Sequence, residues 1–237
     1  MRVQGAGPPL LLLNGWTRPM ASWEPFIEAL PGRTLITFDA PGVGASATPL
    51  LPVPMSVLAE IAAGVLDAVG LDQADVLGYS HGGVVAQRLA LAAPERIRRL
   101  VLVATSCGLG ATPGSYFALR ALREPLEAHP WPRPNLFGAW WQSLAVAGWS
   151  SLPFLAAIRT PTLVVSGTRD RVVPPLNSAL LARRIPGADL VLMPGGHDLQ
   201  RRGPAGELAR VVEPFLTPYE RADSRQEQPS RVDKHAV

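Results

Sequence analysis

Short runs of mostly apolar residues recur along the chain, and each is followed within two residues by Asn, Asp, Gly, Pro or Ser. The runs are Leu10–Leu13, Thr34–Phe38, Ala74–Gly78, Leu100–Ala104, Thr162–Val165 and Leu190–Met193. Their apolar positions are successive rather than alternate, which is typical of strands buried on both faces of a parallel sheet. We therefore expect a parallel sheet at the centre of the protein.

Segments with helical spacing lie between these runs. One predicted helix has Ser56 as its N-cap and Gly70 as its stop. Its apolar positions are Met55, Leu58, Ile61, Val65 and Val69. Another helix is expected over 83–92, because Pro94 ends its pattern. Alternation of strands and helices, with right-handed crossovers, predicts an α/β fold.

Two regions interrupt this alternation. Residues 107–151 are too long for a simple crossover and contain apolar stretches at Tyr116–Leu122 and Leu136–Ala147, so we expect a helical cap inserted into the core. Residues 218–237 are polar, mix both charge signs and lack apolar periodicity, which predicts a disordered tail. The predicted core then consists of residues 1–106 and 152–217.

Composition excludes several classes of protein. The chain has 237 residues, of which 47% are hydrophobic and 17% charged, and this balance excludes a wholly disordered chain. The net charge is +3, but arginines cluster only in pairs, so we expect no nucleic-acid partner. No apolar run is long enough to cross a bilayer, so no transmembrane segment is expected. A single cysteine, Cys107, favours a cytoplasmic location and reads as a small buried residue.

The residues Gly78-Tyr79-Ser80-His81-Gly82 match the G-x-S-x-G nucleophile elbow. In that turn a serine sits between a buried strand and a helix, and the flanking glycines remove side chains that would collide. The expected context is present, because a predicted strand precedes Ser80 and a predicted helix follows it. The simpler alternative is that Ser80 only caps the helix.

A serine nucleophile needs a histidine base, and the chain has four histidines. His235 lies in the tail, His129 lies in the cap beside Pro130, and His81 is adjacent to the serine with its side chain expected to point away. His197 follows the last predicted strand and is the expected base. For the acid that orients it, we favour Asp170, which follows the strand at 162–165. Asp198 and Asp39 are the rivals, and we interpret Asp39 as holding the turn after its own strand.

An oxyanion hole needs two backbone donors. We assign these to the N–H groups of Trp16, in the Asn14-Gly15-Trp16 loop, and of His81. Tryptophans concentrate in the cap, and we predict that Trp140, Trp141 and Trp149 bind substrate. The alternative for each is that it only packs the cap onto the core.

Taken together, these motifs resemble the α/β-hydrolase family over about residues 8–216. The carrying segments are Leu-Asn-Gly-Trp at 13–16, Phe-Asp-Ala-Pro-Gly-Val-Gly-Ala-Ser at 38–46, Gly-Tyr-Ser-His-Gly-Gly at 78–83, Gly-Thr-Arg-Asp at 167–170 and Gly-Gly-His at 195–197. The resemblance implies a mostly parallel sheet flanked by helices, with its antiparallel N-terminal edge reduced to Arg2–Gln4.

A narrower resemblance is to intracellular poly(3-hydroxyalkanoate) depolymerases. It is carried by Trp141-Gln142, Gly148-Trp149-Ser150-Ser151, the segment 161–167 and the segment 180–188. It implies Ser80, Asp170 and His197 as a triad that hydrolyses 3-hydroxyacyl esters or polyester, at a storage-granule surface.

Our leading hypothesis is therefore a serine hydrolase that forms an acyl-enzyme and uses neither a metal nor an organic cofactor. Other reactions of similar folds are alternatives: a small-molecule carboxylesterase, an esterase of biotin-precursor synthesis, or a cofactor-free perhydrolase or haloperoxidase. A ligand-binding receptor with a vestigial triad is an alternative from another class.

Overall fold

The described part of the chain alternates between strands and helices. The structure, a computed structural model, describes residues 1–114 and 135–217. The strands are β1 (Arg2–Gln4), β2 (Pro9–Leu13), β3 (Thr34–Thr37), β4 (Ala74–Tyr79), β5 (Ile97–Val103), β6 (Thr162–Gly167) and β7 (Asp189–Met193). The α-helices are α1 (Glu24–Ala29), α2 (Met55–Ala68), α3 (His81–Ala92), α4 (Leu136–Ala147), α5 (Pro175–Arg184) and α6 (Ala205–Leu216). Short 3₁₀ helices lie at Met20–Trp23, Pro94–Arg96 and Leu152–Ala157.

Within these residues the strands form one sheet in the order β1-β3-β2-β4-β5-β6-β7. Strands β2 to β7 pair in parallel, whereas β1 pairs antiparallel with β3, with Arg2 opposite Thr37. Each of the six predicted apolar runs overlaps a strand, so the expected α/β fold with a short antiparallel edge is confirmed. Because β2 to β7 run the same way, the loops that follow them meet at one edge of the sheet.

The sheet is covered on both faces. Leu11 and Leu13 of β2 point into one apolar cluster, which is shared with α2 and α3. Leu10 and Leu12 point into the opposite cluster, which is shared with α1 and α6. This alternation explains the unbroken leucine run, since successive side chains of a strand point to opposite faces.

The N-cap of helix α2 lies two residues earlier than predicted. Pro54 occupies the N-cap position and Met55 is the first helical residue, so the assignment of Ser56 as N-cap is wrong. The proline ring has no hydrogen-bond acceptor, so the helix begins without a side-chain cap. At the other end Gly70 has φ +71°, the left-handed conformation expected of a glycine that stops a helix.

A buried ion-pair cluster lies near the amino ends of β4 and β5. The carboxylate of Asp75 is fully buried and accepts hydrogen bonds from the guanidinium groups of Arg33 at 3.0 Å and Arg98 at 2.8 Å. Arg33, which is 2% exposed, also donates to Glu213 at 2.9 Å. A buried charge is tolerated only when it is paired, so this cluster depends on each of its members.

The predicted cap segment, residues 107–151, enters and leaves the core at adjacent points. Gly108 and Ser150 form an antiparallel bridge, and the Leu109 N–H donates to the Trp149 carbonyl at 2.9 Å. The Ser151 hydroxyl donates to Gln87 Oε1 on α3 at 2.6 Å, which ties the exit to the core. Helix α4 has the bounds predicted for it, whereas the predicted helix Tyr116–Leu122 lies outside the described residues. The division into core and cap stays a prediction.

No helix in residues 1–114 and 135–217 has the length and apolar character needed to span a bilayer. The predicted tail, 218–237, lies outside the described residues, as do His129 and His235.

Candidate active site

Ser80 sits on a sharp turn between β4 and α3. Its backbone has φ 51° and ψ −116°, a conformation that L-residues adopt only under constraint. The Ser80 N–H donates to the Val103 carbonyl at 2.9 Å, and the Thr105 hydroxyl donates to the Ser80 carbonyl at 2.6 Å. These two bonds tie the strained residue to the end of β5 and the loop that follows.

The glycines around Ser80 are required by close backbone packing. A Cβ at Gly78 would lie 2.5 Å from the Gly82 carbonyl oxygen, and a Cβ at Gly82 would lie 2.2 Å from the Leu13 carbonyl oxygen. Both distances are far below van der Waals contact. The elbow therefore needs glycine on each side of its serine, for the reason inferred from the sequence.

His197 and Asp170 converge on Ser80 from two other loops. Nε2 of His197 lies 3.0 Å from Oγ of Ser80, and Nδ1 of His197 lies 2.8 Å from Oδ2 of Asp170. The second oxygen of Asp170 accepts the N–H groups of Val172 and Val173, each at 2.9 Å, and the carboxylate is fully buried. Asp170 is thus fixed by its own loop and can hold the imidazole in one orientation.

The two rival carboxylates bind elsewhere. Asp39 accepts hydrogen bonds from the N–H groups of Met20 and Ala45, at 2.6 and 3.0 Å. It thereby joins the loop after β3 to the 3₁₀ helix at Met20–Trp23. Asp198 contacts Tyr79 and Arg18. Of the three candidates, only Asp170 is placed within hydrogen-bond distance of the His197 ring among the contacts of the described residues.

The loop after β2 approaches the serine through Gly15. A Cβ at Gly15 would lie 2.6 Å from the Tyr79 ring and 3.5 Å from Cβ of Ser80. Asn14 braces this loop: its Oδ1 accepts the Gly15 N–H at 3.0 Å, and its Nδ2 donates to the Pro19 carbonyl at 2.6 Å. The next residue is Trp16, whose N–H we expect in the oxyanion hole.

His81 begins α3, so its N–H has no acceptor within the helix. Its side chain is buried, and Nε2 has no hydrogen-bond partner in the described part of the chain. Burial lowers the pKa of His81 to about 4, against a smaller opposing interaction with the Gln142 backbone. The ring is therefore neutral at physiological pH, and the N–H rather than the ring is the group suited to bind an oxyanion.

Helix α4 rests directly on the loop that carries Trp16. The Trp16 indole lies 3.0 Å from both the Ala139 carbonyl and the Ser143 hydroxyl, and the Thr17 N–H donates to Gln142 Oε1 at 2.8 Å. A Cβ at Gly138 would lie 2.1 Å from the Gly42 carbonyl oxygen. The helix and the loop after β3 therefore touch backbone to backbone. The sequence did not predict the contact between Gln142 and the Thr17 N–H, since a lone glutamine in an apolar helix does not indicate its partner.

The three tryptophans predicted to bind substrate lie in different surroundings. Trp140 is 60% exposed on α4, and Trp141 donates its indole N–H to the Pro49 carbonyl at 3.0 Å. Trp149 packs against the core and lines a cavity of about 640 Å³ between α2, α3 and α4. A substrate-binding role for these three residues stays a prediction.

Cys107 is buried, as expected, and burial raises the pKa of its thiol.

A metal-ligand cluster is not part of this geometry. Within residues 1–114 and 135–217, no group of three or more His, Cys, Asp or Glu side chains is arranged to hold a metal ion. The polar groups that converge on Ser80 are those of nucleophilic catalysis: a hydroxyl, an imidazole and a buried carboxylate.

A mostly parallel sheet with a strained serine at the turn after β4 is the arrangement of one large hydrolase family, and comparison with known proteins agrees. Residues 8–142 match the family described as alpha/beta hydrolase fold. The chain belongs to this family, and it is an enzyme of the hydrolase class.

Individual relatives narrow the comparison. The chain is 36% identical over 220 residues to a poly(3-hydroxyalkanoate) depolymerase of Ectopseudomonas oleovorans, covering 80% of this chain and 77% of that protein. It is 34% identical to a pimeloyl-[acyl-carrier protein] methyl ester esterase of Nitrosomonas europaea, covering 94% and 80% respectively. The crystal structure of a hydrolase from Pseudomonas aeruginosa PA01 superposes with a TM-score of 0.81 at 32% identity, covering 92% of this chain and 93% of that one.

Proposed function

We propose that the protein is a serine ester hydrolase whose favoured substrates are 3-hydroxyalkanoate esters or polyester. The observation that carries the proposal is the unbroken chain of contacts from Ser80 Oγ through the two nitrogens of His197 to Asp170, at 3.0 and 2.8 Å. Such a chain activates a hydroxyl that is otherwise a poor nucleophile at neutral pH.

The reaction follows from the positions of these groups. Ser80 Oγ attacks the ester carbonyl while His197 Nε2 takes its proton, and the N–H groups of Trp16 and His81 stabilise the oxyanion. His197 then gives the proton to the departing alcohol, which leaves an acyl-enzyme. Water, activated by the same imidazole, releases the acid. Asp170 stabilises the imidazolium in both steps, and no metal or organic cofactor is needed.

Two kinds of ester are supported by relatives. Similarity to a poly(3-hydroxyalkanoate) depolymerase favours 3-hydroxyacyl esters, and similarity to a methyl ester esterase favours a small carboxylic ester as the second candidate. The exposed apolar side chains of α4 favour an apolar substrate, because a contiguous apolar surface commonly marks a binding site. These side chains are Leu136, Phe137, Trp140 and Leu144. A storage-granule surface and a cytoplasmic location remain predictions.

The test is a hydrolysis profile over p-nitrophenyl acyl esters, a methyl ester and a 3-hydroxyalkanoate oligomer, with wild type and Ser80→Ala. We expect Ser80→Ala to lose activity by at least about 10³-fold, because the nucleophile is removed. Ser178→Ala is the matched control: this serine lies within α5, its hydroxyl has no hydrogen-bond partner among the described residues, and the same change should leave turnover intact. Equal turnover by wild type and Ser80→Ala would refute the mechanism. Preference for the methyl ester over the oligomer would favour the second candidate.

A further inference from the structure

Asp198, the residue after the proposed base, holds together side chains from two other loops. Its Oδ1 accepts a hydrogen bond from the Tyr79 hydroxyl at 2.9 Å and lies 3.2 Å from the Arg18 guanidinium. Its Oδ2 lies 3.3 Å from Nε of Arg201, three residues further along. One carboxylate therefore accepts hydrogen bonds from Tyr79 and Arg18 and forms an ion pair with Arg201.

The two more distant donors flank other parts of the proposed site. Tyr79 directly precedes Ser80, and Arg18 lies two residues after Trp16 in the loop that carries an oxyanion donor. Asp198 itself directly follows His197. The carboxylate thus joins the nucleophile turn, the oxyanion loop and the histidine loop, although Arg18 and Asp198 are 180 residues apart in the chain.

Tyr79 is a rigid member of this set. Its side chain is 1% exposed, and its ring packs against Trp23 at 6.2 Å and against the His197 ring at 5.2 Å between centroids. Its hydroxyl is fixed by the ring's packing, so the bond to Asp198 also fixes the position of the histidine loop relative to β4. The contact is therefore suited to set the distance between His197 and Ser80.

The protonation states keep these contacts in place at neutral pH. Burial and the charge of Asp198 raise the pKa of Tyr79 well above its usual value, so its hydroxyl remains a donor. Burial is the largest single influence on Asp198 and raises its pKa, but Arg18, Arg201, the hydrogen bond from Tyr79 and His197 together give a net lowering of the pKa, so the carboxyl stays ionised. A charged acceptor makes the hydrogen bond from Tyr79 stronger than a neutral pair would.

We propose that Asp198 is a positioning residue for the reaction, which holds His197, Ser80 and the oxyanion loop in register through Tyr79 and Arg18. The inference rests on the proposed function. The role of Asp198 differs from that of Asp170, because Asp198 contacts residues close to the reacting groups in the chain and does not contact the imidazole. Its loss should slow the chemical step and leave substrate binding unchanged.

The test compares Asp198→Asn, Tyr79→Phe and the double variant with wild type. Asp189→Asn is the matched control, since this aspartate is exposed at the start of β7. Three quantities are measured: kcat and KM for p-nitrophenyl butyrate, and the rate of Ser80 labelling by a fluorophosphonate. In labelling, Oγ attacks phosphorus, fluoride leaves and His197 takes the proton, so an ester substrate is not required. The number of labelled sites normalises kcat for any unfolded fraction.

We expect Asp198→Asn to lower kcat per labelled site and the labelling rate by about 10- to 100-fold, as for small displacements of reacting groups, with KM within about twofold. Tyr79→Phe should lower both rates less, and the double variant should match Asp198→Asn because both changes break one interaction. Unchanged rates, a change in KM alone, or multiplicative losses in the double variant would overturn the inference.

Failure of the proposed function has a different signature. Wild type that is labelled at Ser80 but hydrolyses no ester would refute the ester substrate, while the labelling rates of the variants would still decide the role of Asp198. Wild type that is not labelled at all would overturn both.

Discussion

The buried ring of His81 makes the folded protein sensitive to mild acid. Its pKa is lowered to about 4 by burial, whereas an unfolded histidine titrates near 6.5. Between these two values the unfolded chain binds a proton that the folded chain does not, so stability rises with pH across this window. The stability that the neutral His81 ring contributes is fully present above about pH 6.5 and is lost as the pH falls towards 4. At about pH 4 the resulting loss in free energy of unfolding reaches about 3 kcal/mol.

Replacement of His81 by glutamine removes this titration and keeps a neutral polar side chain. The assay is urea unfolding of wild type and His81→Gln at about pH 7.5 and about pH 5. On acidification wild type should lose about 2 kcal/mol more of its free energy of unfolding than the variant. The contributions of all other titrating groups cancel in this comparison, because both proteins contain them. Equal losses in the two proteins would refute the reasoning, because they would mean that the His81 ring is charged or solvated in the folded state.

Two further changes test the packing. Asp75→Asn should lower the free energy of unfolding by about 3–5 kcal/mol in urea, because Arg33 and Arg98 lose their buried counter-charge; a loss below about 1 kcal/mol would contradict the cluster's role. Gly138→Ala places a methyl group 2.1 Å from the Gly42 carbonyl oxygen, so it should displace α4 and lower esterase activity. Its control is Gly64→Ala, because Gly64 lies in α2 with open space around it. The control should raise the free energy of unfolding by up to about 1 kcal/mol in the same urea assay. Retained activity in Gly138→Ala would show that α4 is not held by this contact.

Strands β2 to β6 were predictable because burial on both faces leaves a direct mark in the sequence, whereas β7 has a similar apolar run although most of it is exposed. Short continuous apolar runs have few other interpretations when helical segments separate them. The start of β5 was missed, since Arg98 and Arg99 interrupt the apolar pattern, although Arg98 is accommodated by its bond to Asp75. Helix α5 was not predicted, because it begins at a Pro-Pro pair that is also typical of loops. Pro175 occupies the first turn of the helix, where a proline is tolerated.

The residue types of the site were predictable, but their connections were not. Chain order and the strand that each follows are enough to propose Ser80, Asp170 and His197. The convergence of Arg18, Tyr79 and Asp198 depends on where three loops meet, and each of these residues has an ordinary surface or core interpretation in the sequence. The burial of His81 likewise depends on where α4 lies.

The bridge between Gly108 and Ser150 has a consequence for how this enzyme can be altered. Because the chain departs and returns at one point, the length of the intervening segment does not affect the spacing of β5 and β6. Doubling such a segment costs only about 0.6 kcal/mol in closure entropy. A change in the length of this segment therefore leaves β5 and β6 in place, whereas any exchange of the segment must keep α4, which contacts Trp16 and Thr17.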